Sequence, residues 1–294
     1  MDTQVVDSNK SIALKALAAT GEIATLPEVT LKIMEVVEDP NGTAAQLHEI
    51  IKRDPALSAK VLSVVNSAFY GLPGQVADLN RGIVLLGASA VKNISVAASL
   101  GHMFVGSQKL GPFDLKSLWK HSIAVAVAAK AINAAAGASV SPDEAFLAGL
   151  LHDLGLLIER QVFPDKLGEI AAGCGADGKT FLQLEQEIIG ATHQDFGDAL
   201  TASWKFPPHL RAAVSAHHNP FDLPDEQRGL GMTIYCADTI CCQERIGFDL
   251  LACTQQLTQE QLDAVGVSEE QLTDIRGALA DGVAEAEAVL GANT

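Results

Sequence analysis

Apolar residues recur every three to four positions through almost the whole chain. Ile12, Leu14 and Leu17 do so within 8–20, and Val29, Ile33, Val36 and Val37 follow Leu26-Pro27. Leu47, Ile50 and Ile51 follow Thr43, and Leu57, Val61, Leu62 and Val65 follow Asp54-Pro55. This is the 3.6-residue period of amphipathic helices, and no stretch sustains the period-two alternation of a half-buried strand. Thr43 with Gln46 has the spacing of a capping box, and Asp54 before Pro55 is suited to an N-cap, so each pair predicts a helix start. The helix opened by Asp54 is expected to run to Tyr70-Gly71, with Leu62 and Val65 buried and Asn66 and Ser67 bonding the backbone of the next loop. A short segment over Ile83–Leu86 and a longer one from Ala88 to Met103 complete the first half.

Gly106 to Pro112 gathers Gly, Ser and Pro between two apolar runs and is the best internal boundary. Beyond it the pattern predicts helices over about 113–136, 142–160, 164–175, 180–190, 193–203, 208–218 and 228–246. Thr258 with Gln261 and Ser268 with Gln271 then start a short and a long acidic helix. The expected architecture is all-α, two packed helical bundles, divided as 1–108, 109–250 and an acidic tail over 251–294.

One stretch interrupts the apolar pattern in a chemically specific way. From Ser141 to Glu159 a helix is expected to run through His152 and Asp153, with leucines on both sides. A carboxylate buried among leucines loses several kcal/mol of hydration unless a cation or hydrogen-bond donors replace the water. A divalent metal would do so. The bland alternative is a core histidine and an aspartate satisfied by a neighbouring helix.

Composition narrows the options. The chain has 294 residues, 48% hydrophobic, with a formal net charge of -16. That size supports a large core, and the negative charge repels phosphate backbones, so direct nucleic-acid binding is not expected. Met1-Asp-Thr-Gln lacks the pattern of a signal peptide, and Lys92, Lys130 or Asp153 interrupts each apolar run before it reaches membrane-spanning length. A cytoplasmic protein without membrane contact is expected. Its five cysteines, without paired C-x-x-C, read as buried thiols rather than a zinc or disulfide framework.

His48, His102 and His209 fall where ordinary positions are expected. The other five histidines do not. His121 begins an apolar helical face, His152 precedes Asp153, His193 opens a helix, and His217-His218 closes one before Asn219-Pro220. Asp238 adds a carboxylate inside another apolar helix. Each alone reads as structural, but together they place seven metal-compatible side chains on separate helices, which is how helical bundles build metal sites. Such donors suit a divalent metal, iron or manganese ahead of zinc, as one ion or a dinuclear pair. His121, His152, Asp153 and Asp238 are expected around one ion, with His193, His217 and His218 extending to a second. The competing expectation is a buried imidazolium–carboxylate cluster. Adjacent residues point about 100° apart on a helix, so His217 and His218 can share one ion only near a helix end.

The order His121, His152-Asp153, His193, His217-His218, Asp238 resembles the HD superfamily of metal-dependent phosphohydrolases, in the arrangement of its HD-GYP branch. Leu26-Pro27, the string from Ile50 through Asp54-Pro-Ala-Leu57, Asn66-Ser-Ala-Phe-Tyr-Gly71 and Leu85-Leu-Gly87 resemble the HDOD domain, the HD-related output domain of bacterial signalling proteins. The resemblance spans about 22–245 and implies an HD-like second half and a regulatory role with signalling protein partners. It also departs from the enzymes. Leu156 stands where HD-GYP phosphodiesterases carry a phosphate-holding lysine, Ser117 where some members place a carboxylate, and Asn219-Pro-Phe-Asp follows His217-His218 in place of Gly-Tyr-Pro. The resemblance therefore implies a regulatory module that binds metal without strong catalysis. The other reading is a phosphohydrolase or phosphodiesterase acting on a nucleotide or cyclic dinucleotide, with His152 and Asp153 as its catalytic candidates.

Overall fold

Side-chain caps start the helices where the spacing predicts them, because each cap satisfies backbone N–H groups that a first turn leaves without partners. Thr43 and Gln46 cap each other reciprocally, as do Thr258 and Gln261. Asp54 accepts from Leu57 N at 3.0 Å, with Pro55 at the first helical position. Ser141 accepts from Glu144 N at 3.2 Å, but the Glu144 carboxylate lies against His209 Nε2, at 3.3 Å.

The computed structural model describes residues 3–21, 25–67, 74–106, 109–138, 140–252 and 255–290. Its helices are α1 (Thr3–Ala19), α2 (Glu28–Glu38), α3 (Ala44–Ile51), α4 (Pro55–Val65), α5 (Leu79–Leu86), α6 (Ala88–Leu100), α7 (Leu115–Ala136) and α8 (Pro142–Leu151). They continue with α9 (Gly155–Val162), α10 (Pro164–Gly173), α11 (Phe181–Ile188), α12 (His193–Ser203), α13 (Pro208–Ala216), α14 (Asp225–Gln243), α15 (Gln259–Val265) and α16 (Glu269–Leu290). The described chain contains no strand, so the fold is all-α. No single helix among the described residues is long and apolar enough to cross a membrane.

The chain groups into two compact units, residues 26–105 with 280–294 and residues 1–25 with 106–279. In the smaller unit α6 packs on α2, α4 and α5, and α5 and α6 meet at a bend of 114°. Leu47, Ile51, Val61 and Val65 are fully buried there. Leu62, expected to be buried, is only half-buried, because the inward face of α4 is Leu57, Val61, Val64 and Val65. The face of α2 is likewise shifted to Thr30, Ile33 and Met34. Burial of Thr30 follows from a partner that sequence cannot supply, the Ser99 hydroxyl of α6 at 2.6 Å. Asn66 does bond the chain beyond its helix, donating to Val76 O at 2.8 Å and accepting from Val76 N at 2.7 Å. The expected end of α4 at Tyr70-Gly71 lies outside the described residues, and the helix itself ends at Val65.

In the larger unit α7 packs on α8 and α14, and α12 on α1, α9 and α13. The helix expected over 142–160 is two helices, broken at 152–154. The backbone of His152 and Leu154 keeps right-handed helical angles. The amides, however, reach back three residues rather than four: Leu154 N to Leu151 O at 3.1 Å, Leu156 N to Asp153 O at 3.0 Å and Leu157 N to Leu154 O at 3.0 Å. This tighter winding brings Gly155 onto the start of α12, where a Cβ on Gly155 would lie 1.9 Å from His193 O. Only glycine permits that approach. A second close crossing fixes α7: Gly247, at φ +80°, turns the chain so that a Cβ would meet His121 N at 2.5 Å.

Candidate metal centre

Four histidines reach the interior of the larger unit with one ring nitrogen already committed. His152 Nδ1 lies 2.7 Å from Gly149 O and His217 Nδ1 2.8 Å from Val214 O. Both imidazoles thus donate to a carbonyl in the last turn of the preceding helix, a group that a helix end leaves without an intrahelical partner. His121 Nδ1 faces Ile246 O at 3.4 Å, and His193 Nδ1 lies 2.8 and 3.0 Å from the two oxygens of Glu185. With Nδ1 as the donor in each case, the Nε2 lone pairs point the other way. Anchoring of this kind sets the tautomer and direction of metal-binding histidines.

Those Nε2 atoms converge on Asp153. Its Oδ2 is 3.1 Å from His152 Nε2 and 3.7 Å from His121 Nε2, and its Oδ1 is 3.5 Å from both His193 Nε2 and His217 Nε2. Asp238 extends the group, with Oδ1 3.1 Å from His121 Nε2 and Oδ2 3.8 Å from His218 Nδ1. His193 Nε2 is 3.2 Å from His217 Nε2 and 3.1 Å from His218 Nε2. The structure thus brings together all seven side chains singled out in sequence, each at most 5% exposed.

The break at 152–154 lies at the centre of this convergence. His152 caps α8 and Asp153 lies in the tightened turn, both at a helix end. His217 and His218 likewise follow the last residue of α13. His48 and His209 are half-buried and His102 is exposed, apart from the group.

Close approach here is not hydrogen bonding. Both oxygens of Asp153, Oδ2 of Asp238, Nε2 of His121 and His152, and Nδ1 of His218 are buried without a hydrogen-bond partner. Burial by itself raises the Asp153 carboxyl, but the charge of His152 beside it holds it well below the usual carboxylate range. Asp238 is depressed in the same way, against the pull of burial, by its contact with His121. Burial acts downward on His152, and the adjacent Asp153 carboxylate outweighs it, lifting the imidazole to about 9. Burial dominates at His193, His217 and His218, all lowered and therefore neutral at pH 7. Two buried carboxylates, with the neutral imidazoles of His193, His217 and His218 beside them, fit a divalent cation, whose entry would displace the proton that His152 carries without one. Neighbouring ligand atoms about 2.0–2.2 Å from one ion lie roughly 2.8–3.6 Å from one another in cis-octahedral or tetrahedral geometry. The contacts of 3.1–3.5 Å around Asp153 are of that size. The cluster could therefore bind metal.

The structure also supplies participants that sequence reasoning missed. Glu185 and Glu159 are fully buried behind His193. Burial, then the charge of Glu185, pushes Glu159 well above its usual range, and burial also raises Glu185. In sequence Glu185 sits among Gln183, Gln186 and Glu187 and looks solvated, so no local signal separates it. Cys242 lies 3.3 Å from Asp238 Oδ1, and its four-residue spacing from Asp238 was a legible signal.

Comparison with known proteins follows the same lines. A family model described as HDOD domain matches residues 23–220, more than half of the chain. A crystal structure of an HDOD domain protein with unknown function from Geobacter sulfurreducens superposes with a TM-score of 0.82 at 20% identity, covering 97% of this chain and 99% of that one. A signal transduction protein of Marinobacter aquaeolei VT8, so described provisionally, gives a TM-score of 0.77 at 23% identity, covering 97% of this chain and 66% of that one. A candidate phosphohydrolase from Shewanella amazonensis SB2B gives 0.73 at 24% identity, with 96% and 98% covered. At these identities the likeness is one of fold. An uncharacterised protein of Treponema pallidum (strain Nichols) is 25% identical over 251 residues, covering 82% of this chain and 48% of the relative. The chain thus spans about half the length of that curated relative.

Proposed function

Because the chain belongs to the HDOD domain family, we propose that it is a regulatory signal-transduction module of a bacterial cytoplasm whose HD-like half binds a divalent metal without strong catalysis. In this reading residues 109–250 form the metal-binding half, 1–108 the N-terminal half and 251–294 the acidic tail. The observation that carries the proposal is enclosure. None of the seven candidate ligands is more than 5% exposed, whereas a phosphate ester must reach the metal to be hydrolysed. Leu156, where related catalysts carry a phosphate-holding lysine, is itself fully buried and supplies no charge to a substrate.

His121, His152, Asp153, His193, His217, His218 and Asp238 would hold one ion or a dinuclear pair between them, with the Asp153 carboxylate shared and iron or manganese favoured ahead of zinc. A bound divalent ion supplies charge compensation for the two carboxylates and Lewis acidity. The residues do the rest: the carbonyls of Gly149, Val214 and Ile246 and the carboxyl of Glu185 hold the imidazoles in one tautomer, and the surrounding leucines exclude water. A metal that ties α7, α8, α12, α13 and α14 together gives signalling protein partners a surface whose shape depends on occupancy.

The retained donor set favours a second reading, a metal-dependent phosphohydrolase acting on a nucleotide or cyclic dinucleotide. The test is turnover of a chromogenic phosphodiester and of cyclic dinucleotides by protein loaded in turn with iron, manganese and zinc. The regulatory reading expects none above a His152→Ala control. Metal-dependent turnover that this variant loses would replace it with the enzymatic one.

A further inference from the structure

At one edge of the cluster the buried donors include a cysteine. Cys242 follows Asp238 by four residues on α14, so both project from one face of the helix. Its side chain is buried, and Sγ lies 3.3 Å from Asp238 Oδ1. The same oxygen is 3.1 Å from His121 Nε2. Donor atoms of His121, Asp238 and Cys242 all lie within 4.8 Å of one another. Two of the atoms facing this space, His121 Nε2 and Asp238 Oδ2, are buried without hydrogen-bond partners. His218 Nδ1, also unpartnered, stands 3.8 Å from Asp238 Oδ2.

We propose that Cys242 is a metal ligand, forming with His121 and Asp238 a thiolate-containing position beside the one centred on Asp153. The proposal rests on the reading that the cluster binds metal and deepens it by naming the class of ion. Thiolate with imidazole and carboxylate selects a thiophilic cation, zinc, ferrous iron or cobalt, over manganese or magnesium. Ligation replaces the S–H bond by an S–metal bond, and the thiol proton leaves to solvent as the ion enters. Gly247 seats the chain against the His121 backbone and so fixes the imidazole that completes the position.

Cys241 supplies the control. It is equally buried but is turned about 100° around the helix from Cys242. The full chain, stripped with chelator and titrated with cobalt(II), is expected to develop a near-ultraviolet thiolate-to-cobalt charge-transfer band that Cys242→Ser loses and Cys241→Ser keeps. X-ray absorption on the unaltered zinc-loaded protein gives the same information without a variant, as a sulfur scatterer at about 2.3 Å among lighter ligands at about 2.0–2.1 Å. Cobalt bound without a charge-transfer band, a band that survives Cys242→Ser, or zinc without sulfur would overturn the role of Cys242 and leave metal binding by the cluster intact. Failure to bind cobalt or zinc would overturn the thiolate position, and failure to bind iron and manganese as well would overturn both.

Discussion

The two compact units bury polar groups in opposite ways. Among the described residues of 26–105 the buried polar side chains are Thr30, Lys92, Asn93, Ser95 and Ser99, with Lys92 the one ionisable group among them. Their hydroxyls are satisfied by neutral partners, Ser95 donating to Val91 O at 2.8 Å, Ser99 to Ser95 O at 2.9 Å and Thr30 pairing with Ser99 at 2.6 Å, while the Asn93 amide is buried without a partner. The larger unit instead buries His121, His152, Asp153, Glu159, Glu185, His193, His217, His218 and Asp238 in one interior. The smaller unit therefore draws its stability from apolar packing and caps. The larger one carries groups whose burial costs free energy until a cation is supplied, so its stability should respond to metal and to pH.

That contrast can be broken most sharply at Asp153. Asp153→Ala removes the carboxylate that four imidazoles face, and loss of such a buried charge partner costs about 3–5 kcal/mol. Bound metal should be lost with it. Hydrogen exchange should locate the loosening in α8, α12 and α13 and leave α3 and α4 unchanged; equal loosening of both units would contradict the comparison.

Leu47→Ala is the counterpart in the smaller unit. Leu47 is fully buried, so the cavity should cost about 2–5 kcal/mol, by the same amount with chelator as with metal. Denaturant unfolding in the two buffers checks this, and a metal-dependent cost would show that the units are not energetically distinct.

Gly155→Ala probes the crossing that sets the site. The added methyl has no room against His193 O, and overpacking of this kind costs about 1–3 kcal/mol. It should weaken metal binding although no donor is changed, which competition against a metal chelator measures.

This crossing also marks the limit of what the sequence discloses. The caps at Thr43, Asp54, Ser141 and Thr258 were legible because side chain and backbone partner lie within three residues. The seven candidate ligands were legible because Asp153 and Asp238 interrupt apolar helices and the histidines recur with them at helix faces and ends. The break at 152–154 was not, since Leu150, Leu151, Leu154 and Leu157 maintain the helical period across it and the backbone stays right-handed. The shortened turn packs Gly155 against His193, 38 residues away in sequence, a contact that no local pattern announces. Glu185 escaped for the same reason: its role exists only once α11 faces α12. Thr30 and Leu62 show the milder form, a helical face displaced by one residue because a distant partner decides which side is inside.

The smallest effect expected is at Glu159, and its sign is informative. Burial and Glu185 raise this carboxyl in the folded protein, so the unfolded chain releases its proton at lower pH than the folded chain does. Its contribution to stability is therefore fully present below the unfolded value of about 4.3 and lost as pH rises above it. Glu159→Gln removes that dependence. Its stability relative to the unaltered protein should rise between pH 5 and pH 8, whereas a constant difference in denaturant unfolding would place Glu159 in solvent or against an unrecognised donor.

The central claim, that the seven-residue cluster holds a divalent cation, is tested most directly by anomalous diffraction from crystals of the purified protein, collected across the iron, manganese and zinc edges. The account predicts an anomalous peak within about 2.0–2.3 Å of imidazole nitrogens and a carboxylate oxygen, with Asp153 among its neighbours. No peak in that interior, with the histidines protonated and hydrogen-bonded directly to Asp153 and Asp238, would contradict it.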